Sequence, residues 1–217
     1  MTTDRHDPGH EALSRRGLIA ATLAFTIAPL PAGALTPGAA EAHVRATVEA
    51  ILALIAANQP KEATAKALRE LFVQKSALEQ LVRYTAGPYW DDMSDAQRER
   101  YQTGFIAYIS SYYARQFRTV DVSLDQLRNV VRLAGTRDAG RHGVLVTTEI
   151  VVGGQVVVSM DWLVSDRSGR VAISDLIVGG ISMARTQRDI IVAMFRERDG
   201  DPELMIAEFR EHSFDLD

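Results

Sequence analysis

The residues of this chain best placed to do chemistry are two acids set in β-branched runs, Asp161 in VVVSMDWLV and Asp175 in VAISDLIVGG. A carboxylate in an apolar pocket with tyrosine partners can act as a general base, as the ketosteroid isomerases show on a cone-shaped α+β fold. Tyrosines are at hand: Gly87 to Phe117 holds all but one of the chain's six, with one of its two tryptophans. The ordinary pattern of a sheet argues the other way. Asp161 alternates with Ser159 and Leu163 on a face that a strand turns to water, and Asp175 near a strand end suits a cap or an arginine partner. His43, His142 and His212 lack partners at metal-ligand spacing, and the absence of cysteine removes thiolate nucleophiles, disulfides and Cys-based metal sites. No nucleophile elbow, metalloprotease helix or phosphate loop is present, and turns account for Gly153-Gly154 and Gly179-Gly180. The expectation is a protein without catalytic residues, metal or cofactor, with an Asp-based small-molecule enzyme as the alternative and an exported interaction module as a third reading.

The elements that must position these residues follow from periodicity. Val44, Val48, Ile51, Leu52 and Ile55 recur on one helical face, which Asn58-Gln59-Pro60 ends. A second helical pattern runs from about Thr64 to Tyr84 and stops at Gly87-Pro88. Ser94 with Gln97 has the form of a capping box, so a third helix should start near Asp95 and run to about Phe117, with Tyr101, Phe105, Tyr108, Ile109 and Tyr112 on one face. Beyond residue 125 the period changes to two. Asn129–Thr136, Val144–Val152, Val156–Val164 and Val171–Val178 read as strands joined by turn-forming segments. In the third, Val156, Val158, Met160, Trp162 and Val164 share a face, so one side of the sheet is covered and helices are the available cover. Ile181–Arg198 returns to helix, and Asp201-Pro202 starts a last one through about Glu211. The expected fold is α+β, a twisted antiparallel sheet of about four strands covered by N- and C-terminal helices and enclosing an apolar cavity.

Composition narrows the function classes. The 217 residues are 47% apolar, which suffices for one sizeable core, and the net charge of −4 comes from interspersed acids and arginines that form no basic stripe for nucleic acid. The N-terminus carries an address. Ser14-Arg15-Arg16-Gly17-Leu18-Ile19, an apolar run to Ala28 and then Pro29 with small residues resemble a twin-arginine export signal, and the run is short of the ~20 residues of a spanning helix. Ala32-Gly33-Ala34 and Ala40-Glu41-Ala42 both have the form of a cleavage site. Residues 1–42 are therefore expected to be leader and 43–217 a single domain without stable membrane insertion.

A family resemblance joins these features. Ala86-Gly87-Pro88-Tyr89-Trp90, then Met93-Ser94, Gln97, Tyr101, Phe105, Ile109 and Tyr113 form the first segment. The second runs from Trp162-Leu163-Val164 through Gly169, continues over Val171 to Ser182, and reaches Arg188. In this order and spacing, over roughly residues 45 to 210, the chain resembles the MlaC, or toluene-tolerance, family of periplasmic phospholipid shuttles. The resemblance implies a carrier of phospholipid or a hopanoid-like lipid between an inner-membrane ABC transporter complex and an outer-membrane lipoprotein complex. It also matches Asp175, Ser182 and Arg188 to family positions, with structural roles expected for them. Spacing assigns the lipid-facing wall to Tyr89, Trp90, Phe105, Tyr108, Ile109 and Tyr112, with Val146, Val158, Met160 and Trp162 from the sheet.

Overall fold

Helix α1, Pro37–Ala57, begins where Thr36 accepts a hydrogen bond from the Ala39 N–H and proline occupies the first turn, and it ends with Asn58 in the left-handed conformation. The computed structural model describes residues 35–116 and 123–214. The arginine pair and apolar run read as an export signal lie outside them.

The helical pattern expected over Thr64–Tyr84 is two helices, α2 (Lys61–Lys75) and α3 (Leu78–Ala86). The apolar periodicity continues across the break, so the cause is tertiary. Ser76 is extended and bridges to Ile173, the Ala77 N–H donates to the Ile173 carbonyl at 2.7 Å, and Arg170 donates to the carbonyls of Val73, Gln74 and Ser76. Contacts from nearly a hundred residues away thus satisfy the last carbonyls of α2 and turn the chain. After a 3₁₀ turn at Gly87–Trp90 comes α4, Asp95–Gln116. Its capping box forms as expected, Ser94 N–H to Gln97 Oε1 at 2.9 Å and Gln97 N–H to Ser94 Oγ at 3.3 Å.

A second capping box, Ser123 with Gln126, starts a short helix α5, Leu124–Val130, which delays the first strand two residues beyond the expected Asn129. The sheet has five strands rather than about four: β1 (Val131–Asp138), β2 (Val144–Val152), β3 (Gln155–Ser165), β4 (Ala172–Val178) and β5 (Ile181–Ser182). They lie in chain order, each antiparallel to the next. Register shifts at Leu133/Gly135, Ile150/Val151 and Leu163/Val164 put a bend in each of the three long ladders. Gly143, at φ 118°, allows the turn into β2, because a Cβ there would lie 2.0 Å from the Val164 carbonyl oxygen. β5 takes the two residues with which the next helix was expected to begin. Ser182 then caps α6, Met183–Arg196, and Asp201 caps α7, Pro202–Glu211.

Packing forms two main cores. In one, Ala40 and Val44 of α1 lie on Val144, Val146, Trp162, Val164 and Ile173 of the sheet, so residues as early as Ala40 are fully buried. In the other, the rings of α4 meet α3, α6 and α7: Tyr101 packs on Phe195 and Phe209 at centroid distances of 5.8 and 5.2 Å. The result is α+β, an antiparallel sheet covered by helices from both ends of the chain.

Candidate functional site

Between the sheet and the helices lies a pocket of about 410 Å³. Each wall comes from an apolar stripe set by periodicity: Val48, Ile51, Leu52 and Ile55 of α1, Leu68, Leu71 and Phe72 of α2, Leu78 and Leu81 of α3. α4 contributes Phe105, Ile109 and Tyr113, and the sheet contributes Val131, Ile150, Met160, Trp162, Ile173 and Leu176. Met183, Ala184 and Gln187 of α6 complete it. Most of the aliphatic members are half-buried, which follows from facing a space instead of a packed neighbour. The volume falls within the roughly 300–1,000 Å³ of small-molecule sites.

Of the residues that spacing assigned to a lipid-facing wall, Phe105, Ile109, Met160 and Trp162 come together around this pocket. The others stand elsewhere. Tyr89 stacks on Phe195 at 4.4 Å, and Trp90 meets the edge of Tyr101 at 6.3 Å with Arg98 over its ring. Tyr108 packs on Phe209 at 5.1 Å, Tyr112 abuts Tyr113, Val146 is buried under α1, and Val158 is half-buried farther along β3. Sequence reasoning did not assign α1, α2, α3 and α6 to the site. Their stripes were legible, but a stripe looks the same whether it meets a partner or a void.

The polar side chains of the wall are mostly committed to the fold. Thr47 donates to the His43 carbonyl at 2.8 Å, Ser76 to Phe72 at 2.5 Å, and Thr85 to Val82 at 3.0 Å. Asp175 is an N-terminal anchor for α6. Its Oδ1 accepts from the Leu176 and Ala184 N–H groups at 2.8 and 3.0 Å, and its Oδ2 from Ser182 Oγ at 2.6 Å. Burial raises the Tyr113 phenol above its usual value, hydrogen bonding with Gln187 opposes that rise, and the Tyr112 and Asp175 charges add to it. Asp161 points away from the pocket to Arg137 at 2.7 Å and Thr147 at 2.5 Å. Burial works against its ionisation, but those hydrogen bonds outweigh it and hold the carboxyl below the ordinary range. Arg188 donates to the Tyr84 carbonyl and lies over that ring, outside the pocket wall.

The histidines are dispersed: His43 bonds the Lys75 carbonyl at 2.9 Å, His142 adjoins Arg141, and His212 pairs with Glu208 at 2.9 Å. Among the described residues, no helix is long and apolar enough to cross a membrane.

The family model described as MlaC protein matches residues 45–211, which includes every helix and strand named above except the first turns of α1. This chain belongs to the MlaC family. Among solved structures it is similar to the phospholipid-binding protein from Ralstonia solanacearum determined in complex with a phospholipid. The TM-score is 0.62 at 18% identity, over 80% of this chain and 96% of that one, a likeness of fold. No curated protein matches the chain.

Proposed function

We propose that this MlaC-family protein is a lipid carrier whose pocket holds the acyl chains of a phospholipid or related lipid. The observation that carries the reading is the pocket itself, a large apolar space kept open between a bent sheet and helices in a member of this family. The Ralstonia protein of similar fold was solved with a phospholipid, which supports the same ligand class here. Phe105, Ile109, Met160 and Trp162 would touch the chains with the aliphatic stripes of α1, α2 and α3. The tyrosines and Trp90 farther along the aromatic segment would hold α4 in place from behind.

The energetics suit carriage. Each buried methylene gains about 0.8 kcal/mol, so a sixteen-carbon chain gains roughly 12 kcal/mol relative to water, close to what it gains in a bilayer. Transfer is then nearly thermoneutral at the carrier, and its direction is set by the membrane complexes on either side. We assign the protein to the periplasm, exported by the twin-arginine-like signal in its leader, and place it between an inner-membrane ABC transporter complex and an outer-membrane lipoprotein complex. Binding rather than catalysis also accords with Asp175, both of whose oxygens hold the start of α6.

Organic extraction of the exported protein followed by lipid mass spectrometry tests this. Near-stoichiometric glycerophospholipid or hopanoid is expected. A lipid-free extract, together with failure of the protein to take up lipid from vesicles, would overturn it.

A further inference from the structure

We propose that Tyr113 and Gln187 form a neutral hydrogen-bonding station inside the pocket that takes the ester carbonyl of an acyl lipid. The proposal rests on the lipid-carrier reading and names the chemical group that the pocket selects.

Thr47, Ser76 and Thr85 give their hydroxyl protons to carbonyls of their own helices, and Asp175 uses both oxygens at the α6 N-terminus. Lys75 is a flexible cation in the last turn of α2, suited to helix-end carbonyls and water rather than to a fixed neutral group. Tyr113 and Gln187 remain. Gln187 is 8% exposed and lines the pocket from α6, and Tyr113 lines it from α4. An amide offers two donors and an acceptor, and a phenol offers a donor and acceptor lone pairs. In an otherwise apolar wall these groups therefore have donor capacity to offer a ligand's acceptor.

The surroundings select the partner's charge. Asp175 and Lys75 both line this wall, so its charges offset one another and leave no net cation to call for a phosphate or free carboxylate. An ester carbonyl is uncharged and accepts hydrogen bonds. It also sits where an acyl chain joins the polar part of a lipid, so the station would fix how deep the chains enter.

The test compares delipidated protein binding to phosphatidylcholine vesicles whose chains are ester-linked with vesicles whose chains are ether-linked, at equal chain length. The wild type should favour the ester lipid by roughly five- to tenfold, the worth of a hydrogen bond to a buried group. In Tyr113→Phe and Gln187→Leu that ratio should fall to within about twofold. Tyr113→Phe retains the ring that packs 6.1 Å from Phe72, so it reports the hydroxyl alone even if Gln187→Leu unfolds. Equal wild-type affinity for the two lipids, or an unchanged ratio in Tyr113→Phe, overturns the station while leaving lipid carriage standing. A wild type that binds neither vesicle overturns both.

Discussion

Tyr101 is fully buried among Phe105, Phe195 and Phe209, and its hydroxyl has no partner of hydrogen-bonding geometry among the described residues. Burial pushes that phenol far above its ordinary range. Thr85 tempers the effect, but its own proton goes to Val82. Removing the hydroxyl should therefore cost nothing: Tyr101→Phe is expected to leave stability unchanged or raise it by up to about 1 kcal/mol in urea titration, whereas Tyr101→Ala should lose roughly 3–5 kcal/mol. A loss above 1 kcal/mol in Tyr101→Phe would mean that the hydroxyl is satisfied. Asp161 behaves oppositely. Its folded-state value lies below its unfolded one of about 3.9, so it stabilises the fold above that pH and loses the contribution as pH falls through the folded value. With Arg137 55% exposed, the effect of Asp161→Asn at pH 7 should be at most about 1 kcal/mol and should be lost as pH falls through the folded-state value. A difference that persists in acid would point to packing instead of charge.

At the scale of elements, the bend between α2 and α3 decides whether their stripes can both face the pocket. Arg170 holds it by donating to three carbonyls. Arg170→Ala should lower stability by about 1–3 kcal/mol, since hydrogen bonds to a charged group exceed the neutral average, and should weaken lipid uptake as well. Urea melts and vesicle-uptake assays check the pair of effects. Loss of stability with full uptake would show that the bend survives without its clamp. The sequence signals for this region were strong in kind and incomplete in extent. Helix starts at Ser94 and Asp201 were legible because a cap is local chemistry, and the alternating face of β3 correctly separates Trp162 from Asp161. The break at Ser76 was not legible because its partners, Arg170 and Ile173, lie far along the chain, whereas β5 pairs locally with Ile177 and Val178 and is only two residues long, too short for a periodicity to show.

For the whole molecule, the location of the pocket separates side chains that pack from those that would touch a ligand. Lipid should raise the wild-type melting temperature, because a ligand bound only to the folded state stabilises it. Ile109→Trp, filling the pocket, should blunt that rise. Tyr108→Ala should lower the melting temperature by a similar amount with and without lipid, since its ring rests on Phe209. A blunted shift in Tyr108→Ala but not in Ile109→Trp would place the ligand on the other face of α4. The N-terminus offers a further expectation. Thr36 caps α1, Leu35 N–H donates to Asp166 at 3.1 Å, and Ala40 is fully buried, so cleavage after Ala34 preserves packing that cleavage after Ala42 would remove. Mass spectrometry of the exported protein should find Leu35 first, and a start at His43 would contradict that expectation.

By itself the sequence determined the α+β class, the helical and alternating stripes, the caps and the family, because each is written in residue types at short spacing. Tertiary structure alone decided which stripe met a partner and which met a void. Phe105 and Ile109 share a face with Tyr108, yet the first two line the pocket and Tyr108 packs on α7. The same burial pressure produces both outcomes, since an apolar side chain leaves water equally well for a packed core or for an apolar pocket. The distinction lies in how far apart the opposing elements are held, and here that spacing is set by the bent sheet and by the Arg170 clamp between α2 and α3.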